Sequence, residues 1–315
     1  MSKRDRIAIV FGGVSTEHEV SQCSAYNMSL ALEEAGYEIA HVGISKRGDF
    51  IPFLLEKEKL SDPNWEKLAL EALASSDFAE TKSTGFKQML HPRDWFFELC
   101  SGPVACVVLA VHGNNCEDGT LQGFFELCDL PYTGADVLAS ALGMDKDLSK
   151  RLVADAGVPV WPHFLVRRDL FISERVKTLK QILERFDFPL FIKPNCGGSS
   201  VGTAYCETKD ELVAALENSF NYDENLLVEP FIDARELEVA VLGNHNYLAA
   251  TPGEIVISSE ARYYDYETKY LDPNASSVDM PAEISEGMRI KLKNFAINVY
   301  RSLRCSGYAR VDFFI

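Results

Sequence analysis

The stretch FPLFIKPNCGGSSVGTAYC, residues 188–206, decides how the rest of this chain is read. The apolar run Pro189–Ile192 has the character of a buried strand, and it delivers Lys193 at its end. Residues 195–202, NCGGSSVG, then lead into a second strand around Thr203–Tyr205. Glycines and serines give this turn little bulk, so its backbone N–H groups and hydroxyls can close over an anion. Lys193 adds a point charge beside it. No GxxxxGK[ST] pattern occurs, and helical periodicity begins only at Lys209, so the segment is not a P-loop. An ordinary Gly/Ser hairpin with a solvent-facing lysine fits the same residues, and the surrounding sequence has to decide between them.

With 315 residues the chain suits two or three domains and a sizeable core. A formal net charge of −16 argues against nucleic acid or an acidic membrane surface as partner, so an anionic ligand needs a local basic pocket. Eight cysteines form no CxxC pair, and several lie in apolar runs, which predicts reduced thiols rather than disulfides or a zinc site. MSKRDRIAIVFGG is too short in apolar residues for a signal peptide, and no 18-residue apolar window exists. These features predict a soluble cytoplasmic protein.

Upstream, Arg6–Phe11 reads as a buried strand ending in Gly12-Gly13. Thr16 and Glu19 have capping-box spacing for a helix whose Val20, Cys23, Asn27 and Leu30 share a face, and Glu38–Ile44 is the next strand. This βαβ unit implies a parallel sheet, with its first turn on the ligand side. Glu17 is placed there to meet an amine, or simply to favour the helix dipole. Val104–Val111 is another buried strand, delivering His112 and a Gly-containing turn before a helix over Leu121–Cys128. Trp65–Ala74 reads as a helix. Residues 135–157 read as helical with a break at Gly143 and contain Lys146. Ser173 is expected to cap a helix with Val176, Leu179, Ile182, Leu183 and Phe186 inward, and Thr208 with Glu211 to cap the next. Asn225–Glu229 and the alternating Arg235–Gly243 read as strands, Glu283–Leu303 as a helix and Tyr308–Ile315 as a strand. Residues 260–281, with Tyr263, Tyr264, Tyr266 and Tyr270, read as a loop that orders over a ligand.

Seven stretches in collinear order, FGGVSTEHEVS (11–21), HGNNCEDGTLQG (112–123), PYTGADVLASALGMDK (131–146), IKPNCGGSSVG (192–202), VEPF (228–231), YDYETKY (264–270) and ARVDFF (309–314), resemble the D-alanine–D-alanine ligases of the ATP-grasp superfamily. The resemblance implies an α/β protein, α+β in parts: an N-terminal doubly wound parallel-sheet domain followed by a two-part ATP-grasp fold. The implied boundaries are 1–142 for a βαβ substrate domain, 143–232 for a central ATP-grasp domain with the Gly-rich flap, and 233–315 for a C-terminal ATP-grasp domain, incomplete. It also implies an ATP-dependent carboxylate–amine ligase that joins two D-alanine molecules through an acyl phosphate for peptidoglycan and cell-wall synthesis. ATP with Mg²⁺ or Mn²⁺ is the implied cofactor set, and a homodimer the implied assembly, with no nucleic acid or membrane partner.

Residue by residue, Glu17 resembles the carboxylate that receives the first D-alanine's ammonium, and His112 the histidine near its carboxylate. Ser199 and Tyr270 resemble the latch that joins flap and loop with Glu17. Lys146 and Lys193 resemble phosphate-contacting lysines, Lys269 the loop lysine at the γ-phosphate, and Ser200 and Phe231 further nucleotide contacts. Glu229 resembles the residue at the adenine and Glu236 the one at the ribose hydroxyls. Arg310 resembles the oxyanion-stabilising arginine and Asp312 a magnesium ligand. Cys116 stands where the family usually has a glycine, which puts the geometry of that turn in question. The chain stops before the family's Glu-x-Asn metal pair. The expectation is therefore that the 315-residue form binds nucleotide in part without turning over, with a frayed terminal strand and misplaced Arg310 and Asp312. D-Ala–D-lactate and D-Ala–D-serine ligase activities are the alternatives within the fold; Tyr270 speaks against lactate. A nucleotide-binding protein without ligase turnover is the alternative outside it.

Overall fold

The computed structural model describes residues 5–75, 91–198, 200–257 and 276–315. They fall into two compact units, 1–137 and 138–315.

In the first unit β1 (Arg6–Gly12), β2 (Glu38–Ile44), β3 (Phe50–Phe53) and β4 (Cys106–Leu109) form one sheet in the order β3-β2-β1-β4. β1 pairs in parallel with both β2 and β4, and β3 adds an antiparallel edge. Alternation along β1 sends Ala8 and Val10 to one face and Ile9 and Phe11 to the other. Both faces are covered. One packs on α3 (Pro92–Leu99) and α4 (Thr120–Leu127) through Phe96, Leu99, Leu121 and Phe125. The other packs on α1 (His18–Glu34) and α2 (Trp65–Ala74) through Ala25, Trp65 and Ala69. Burial on both sides is why β1 reads as a continuous apolar run. This is the doubly wound arrangement expected.

Helix α1 departs from its expected reading in two ways. It starts at His18, and Glu17 occupies the N-cap position without a side-chain cap, so Thr16 and Glu19 form no capping box. The inward face is Ser21, Gln22, Ala25 and Ser29, while Cys23 and Leu30 are exposed. Small side chains allow close approach to the sheet, and hydrogen bonds satisfy the hydroxyls. Ser21 Oγ donates to the Ala110 carbonyl and accepts from Gly12 N–H, both at 2.7 Å.

The second unit holds two further sheets. β5 (Phe164–Arg167), β6 (Leu190–Pro194), β7 (Ala204–Cys206) and β8 (Asn225–Pro230) run antiparallel in the order β5-β8-β6-β7. α7 (Arg168–Ser173), α8 (Arg175–Arg185) and α9 (Lys209–Ser219) give Phe171, Leu179, Ile182, Leu212 and Leu216 to the core on one face of this sheet. Thr208 caps α9 as expected, accepting from Glu211 N–H. Ser173 does not cap α8. It ends α7, Glu174 holds the cap position and Val176 is exposed, because the chain restarts its helix one residue later than the Ser173 signal implies.

In the other sheet β9 (Glu236–Leu242) is central. β10 (Leu248–Ala249) and β11 (Gly253–Ile257) pair with it, β12 (Ser276–Asp279) pairs with β11, and β13 (Tyr308–Phe314) also pairs with β9. α10 (Glu286–Ser302) covers one face through Leu292, Ala296 and Tyr300. The terminal strand is not frayed as expected. All seven residues of β13 are in register with β9, and Arg235 and Ile315 exchange backbone hydrogen bonds at 3.1 and 3.2 Å. Paired backbone and the inward Ala309, Val311 and Phe313 tie it down. α5 (Val137–Met144) and α6 (Lys146–Asp155) break at Asp145, whose side chain caps α6 by accepting from Leu148 N–H, rather than at Gly143. Among the described residues no helix is long and apolar enough to cross a membrane, and all eight cysteines are free.

One partly buried base links this packing to pH. Burial pushes the His41 imidazole from 6.5 down to about 4, with Glu33 opposing the shift and Lys57 adding to it. Ser29 Oγ, whose proton goes to the Ala25 carbonyl, lies 2.7 Å from His41 Nε2. Between pH 6.5 and 4 the unfolded chain takes up a proton that the native state refuses. The contribution is therefore complete above pH 6.5 and lost as pH falls through this window. Urea titrations of wild type and His41→Gln should show the wild type losing about 2 kcal/mol more between pH 7 and pH 5. Equal losses would show that burial does not hold His41 neutral.

Candidate active site

In the second unit the face of the β5–β8 sheet opposite its helices carries the side chains of Phe191, Lys193, Tyr205 and Glu229. Strand alternation requires this, since Leu190, Ile192, Cys206 and Val228 fill the helix-covered core. β6 and β7 form a hairpin, and the Gly/Ser stretch is its turn, as the sequence predicts. Ser200 adopts φ +57° and Gly202 φ +76°, so the turn runs partly through left-handed backbone. A side chain at Gly202 would stand 2.7 Å from the Tyr222 ring.

Lys146 is the first residue of α6, and Asn195 sets its position. The Asn195 carbonyl accepts from Lys146 N–H at 3.2 Å, and Asn195 Oδ1 accepts from Asp147 N–H at 2.9 Å. Lys146 Nζ then reaches back to the flap, donating to the Asn195 and Gly197 carbonyls at 3.2 and 2.6 Å. Burial, and then the neighbouring Lys193, bring its pKa down to about 8. A lysine so placed still carries its proton near pH 7, and an arriving anion favours the charged form further.

Glu229 is buried and meets two lysines, Lys193 at 2.7 Å on Oε2 and Lys150 on Oε1. Burial alone would raise its pKa, but Lys193 and Lys150 outweigh it and hold the carboxyl below the usual range. Lys150 was not anticipated. Its spacing of four from Lys146, in MDKDLSK, is the available signal, because it puts both on one face of α6. Asp147, between them, turns away to Arg151 at 2.8 Å and His163 at 2.9 Å. Tyr205 and Phe231 pack edge to face with centroids 5.0 Å apart, beside Glu229. A cavity of about 440 Å³ near the start of α6 has Asp145, Asp147, Asp169 and Glu224 in its wall, so it does not suit an anion.

Glu236 begins β9 and is half-buried. Arg310 and Asp312 share one face of β13, as their spacing requires, with contacts of 2.8 and 2.9 Å between guanidinium and carboxylate. Arg310 also reaches Glu238 on β9 at 3.0 Å. Among the described residues no group of three or more His, Cys, Asp and Glu is placed to hold a metal ion, and Asp312 is engaged by Arg310. The described donors therefore do not fit the implied magnesium site. Ser199, Lys269 and Tyr270, with most of the 260–281 loop, lie outside the described residues.

In the first unit Glu17 and the 112–119 turn come together. A Cβ on Gly113 would lie 2.8 Å from Glu17 Oε2 and 2.4 Å from Ser15 Oγ. Ser15 Oγ accepts from Glu17 N–H at 3.1 Å, and the buried His18 lies 2.8 Å from the Gly13 carbonyl, so the loop before α1 is pinned from both sides. His112 Nε2 lies 2.9 Å from Ser24 Oγ on α1, and its Nδ1 is 3.9 Å from Glu117. Cys116 causes none of the strain that its non-glycine identity suggested. Left-handed backbone falls on Gly113, Asn115 and Gly119 instead. The Cys116 thiol is buried against Gly13, where a Cβ would meet Sγ at 2.7 Å, and burial with the acidic neighbours Glu117, Asp118 and Glu17 pushes its pKa up to about 12.

Comparison with known proteins follows these features over both units. The family described as D-ala D-ala ligase N-terminus matches residues 6–135, and D-ala D-ala ligase C-terminus matches residues 152–315. D-alanine–D-alanine ligase A of Bradyrhizobium diazoefficiens is 38% identical over 318 residues, covering 100% of this chain and 83% of that protein. D-alanine–D-alanine ligase of a Thermoanaerobacter species is 40% identical, covering 99% and 83%. Among solved structures, the VanG D-Ala:D-Ser ligase of Enterococcus faecalis superposes with a TM-score of 0.80 at 34% identity, covering 99% of this chain and 86% of that one. The Coxiella burnetii D-alanine–D-alanine ligase gives 0.76 at 31% identity, covering 99% and 82%. With both family halves matched and identities of 38–40% over nearly its whole length, this chain belongs to the D-alanine–D-alanine ligase family.

Proposed function

We propose that the protein joins two D-alanines at the expense of ATP, making the dipeptide of peptidoglycan precursors. The observation that carries this beyond family membership is the lysine cluster between α6 and the sheet, beside the Gly/Ser turn. In a chain of net charge −16 it places Lys146, Lys150 and Lys193 around a single carboxylate, which suits a polyphosphate. Phe231 and Tyr205 offer an apolar edge to an adenine ring, with Glu229 at its amino group and Glu236 at the ribose hydroxyls. Lys146, Lys193 and the turn, including Ser200, take the phosphates. Ser199, Lys269 and Tyr270 keep the roles that the resemblance implies for them.

The reaction proceeds in two displacements. A carboxylate oxygen of the first D-alanine attacks the γ-phosphorus, the bond to the ADP oxygen breaks, and an acyl phosphate forms. The amine of the second D-alanine then attacks the acyl carbon, phosphate leaves with the bonding pair, and the amine loses a proton as the peptide bond forms. Glu17 holds the first D-alanine's ammonium by a charge-assisted hydrogen bond, and His112 lies at its carboxylate. Arg310 stabilises the oxyanion of the tetrahedral intermediate. Magnesium is the family's metal, and no step here is assigned to it. The VanG neighbour favours a second reading, in which D-serine serves as the second substrate.

Purified protein given ATP, Mg²⁺ and D-alanine should release phosphate and yield D-alanyl-D-alanine by mass; nucleotide binding without phosphate release would instead bear out the expectation of a 315-residue form that does not turn over. D-serine in competition should give mixed dipeptide as the minor product. Mixed dipeptide as the main product would favour the second reading, and depsipeptide from D-lactate would exclude amine specificity.

Glu17→Gln should raise the KM for D-alanine at least tenfold, since a hydrogen bond to a charged group contributes about 1.5–3 kcal/mol. Gly113→Ala should behave likewise, because its Cβ would displace the Glu17 carboxylate from a turn at φ +76°. An unchanged KM for D-alanine in both variants would remove Glu17 from the substrate site.

A further inference from the structure

Two lysines meet opposite oxygens of the buried Glu229 carboxylate, and they are held differently. Lys150 belongs to α6 and is fixed a second time, its Nζ donating to the Trp161 carbonyl at 3.1 Å. Trp161 in turn donates from Nε1 to the carbonyl of Pro230, the residue after Glu229, at 2.8 Å. Lys150, Trp161 and the end of β8 thus form one closed set of contacts. Lys193 projects from β6 where the Gly/Ser turn departs, and its partner in the described structure is Glu229 alone.

We propose that Lys150 is a positioning residue of the nucleotide site, holding and neutralising Glu229 so that Lys193 can leave that carboxylate for a phosphate. The inference rests on reading this sheet face as a nucleotide site.

Charge decides the matter. Glu229 with Lys150 and Lys193 sums to one spare positive charge, which an incoming phosphate can use. With Lys193 as the sole counter-ion the sum is zero, and withdrawing it would leave a buried carboxylate unpaired, which is strongly unfavourable. A lysine that only stabilised the fold would affect every ligand of this face alike. A lysine that frees Lys193 affects only ligands that carry phosphate.

Adenosine and ADP separate these cases, because they share base and ribose and differ in the diphosphate. Both are titrated calorimetrically into wild type, Lys150→Met, Lys150→Arg and the double variant Lys150→Met/Glu229→Gln, with thermal melts recorded for each. Lys150→Met should lower the ADP-to-adenosine affinity ratio at least tenfold, whatever adenosine itself loses through Glu229. Lys150→Arg should recover most of the ADP affinity. The double variant, in which Lys193 has no carboxylate to abandon, should return the ADP-to-adenosine affinity ratio towards the wild-type value. If Lys150→Met does not fold, Lys150→Gln supplies the same ratio. Equal losses for the two ligands, or no loss for ADP, would overturn the role given to Lys150. Wild-type protein that binds neither ligand would overturn the nucleotide reading itself, and this inference with it.

Discussion

The Glu229 carboxylate, buried between an antiparallel sheet and α6 and shared by Lys150 and Lys193, is the constraint on which the rest of the second unit depends. A carboxylate taken out of water must be paired and hydrogen-bonded, or it protonates. Its pairing fixes the spacing between α6, which carries Lys150, and β6, which carries Lys193. It also fixes β8, which carries Glu229 itself. The same helix packs Val153 against Val299 and Leu303 of α10, so the lysine face and the apolar face of α6 join the two sheets of the unit. The position of Lys146 follows, since Asn195 anchors the first turn of α6 to the flap.

The first unit solves a similar problem without a buried ion pair. The turn after β1 is held by hydrogen bonds to small polar residues: Gly12 N–H to Ser21, Ser21 to Ala110, and Gly13 N–H to the Ile44 carbonyl at 2.8 Å. Two strand ends are thereby tied to α1, and the turn itself to the end of β2. Gly12 has no room for a side chain, because a Cβ would lie 2.2 Å from the Ile44 carbonyl oxygen. The Gly-Gly dipeptide is thus a packing requirement that places Glu17 at the head of α1.

Sequence reading succeeded where burial is two-sided or where turn chemistry is local. β1, β2 and α2 have the expected bounds to within a residue. It failed on α1 because the buried face there is polar. Ser21 and Ser29 are satisfied by distant partners such as Ala110 and His41, and no local pattern encodes a hydrogen bond 89 residues away. Lys150 went unnoticed for a related reason. Its i+4 relation to Lys146 is visible, but its meaning depends on a carboxylate from β8. Cys116 shows the opposite error, a substitution that looked strained and is not, since the left-handed backbone passes to Asn115.

Two of the cations assigned to the reacting groups, Arg310 and Lys193, are paired with carboxylates, and the difference between the pairs bears on how the site works. Arg310 and Asp312 expose 61% and 58% of their side chains, so their pair contributes little and can exchange for another anion at small cost. Lys193 and Glu229 expose only 19% and 5%, and the same exchange there would strand a buried charge. An exposed pair can serve as a resting place for a guanidinium with no further arrangement. A buried pair can release its lysine only if something else stays on the carboxylate. Lys150 meets that condition by geometry, on the oxygen that Lys193 does not use. The chain thus places its exchangeable charge at the rim of one sheet and its supported charge inside the other, and the physical requirements of burial account for the extra lysine.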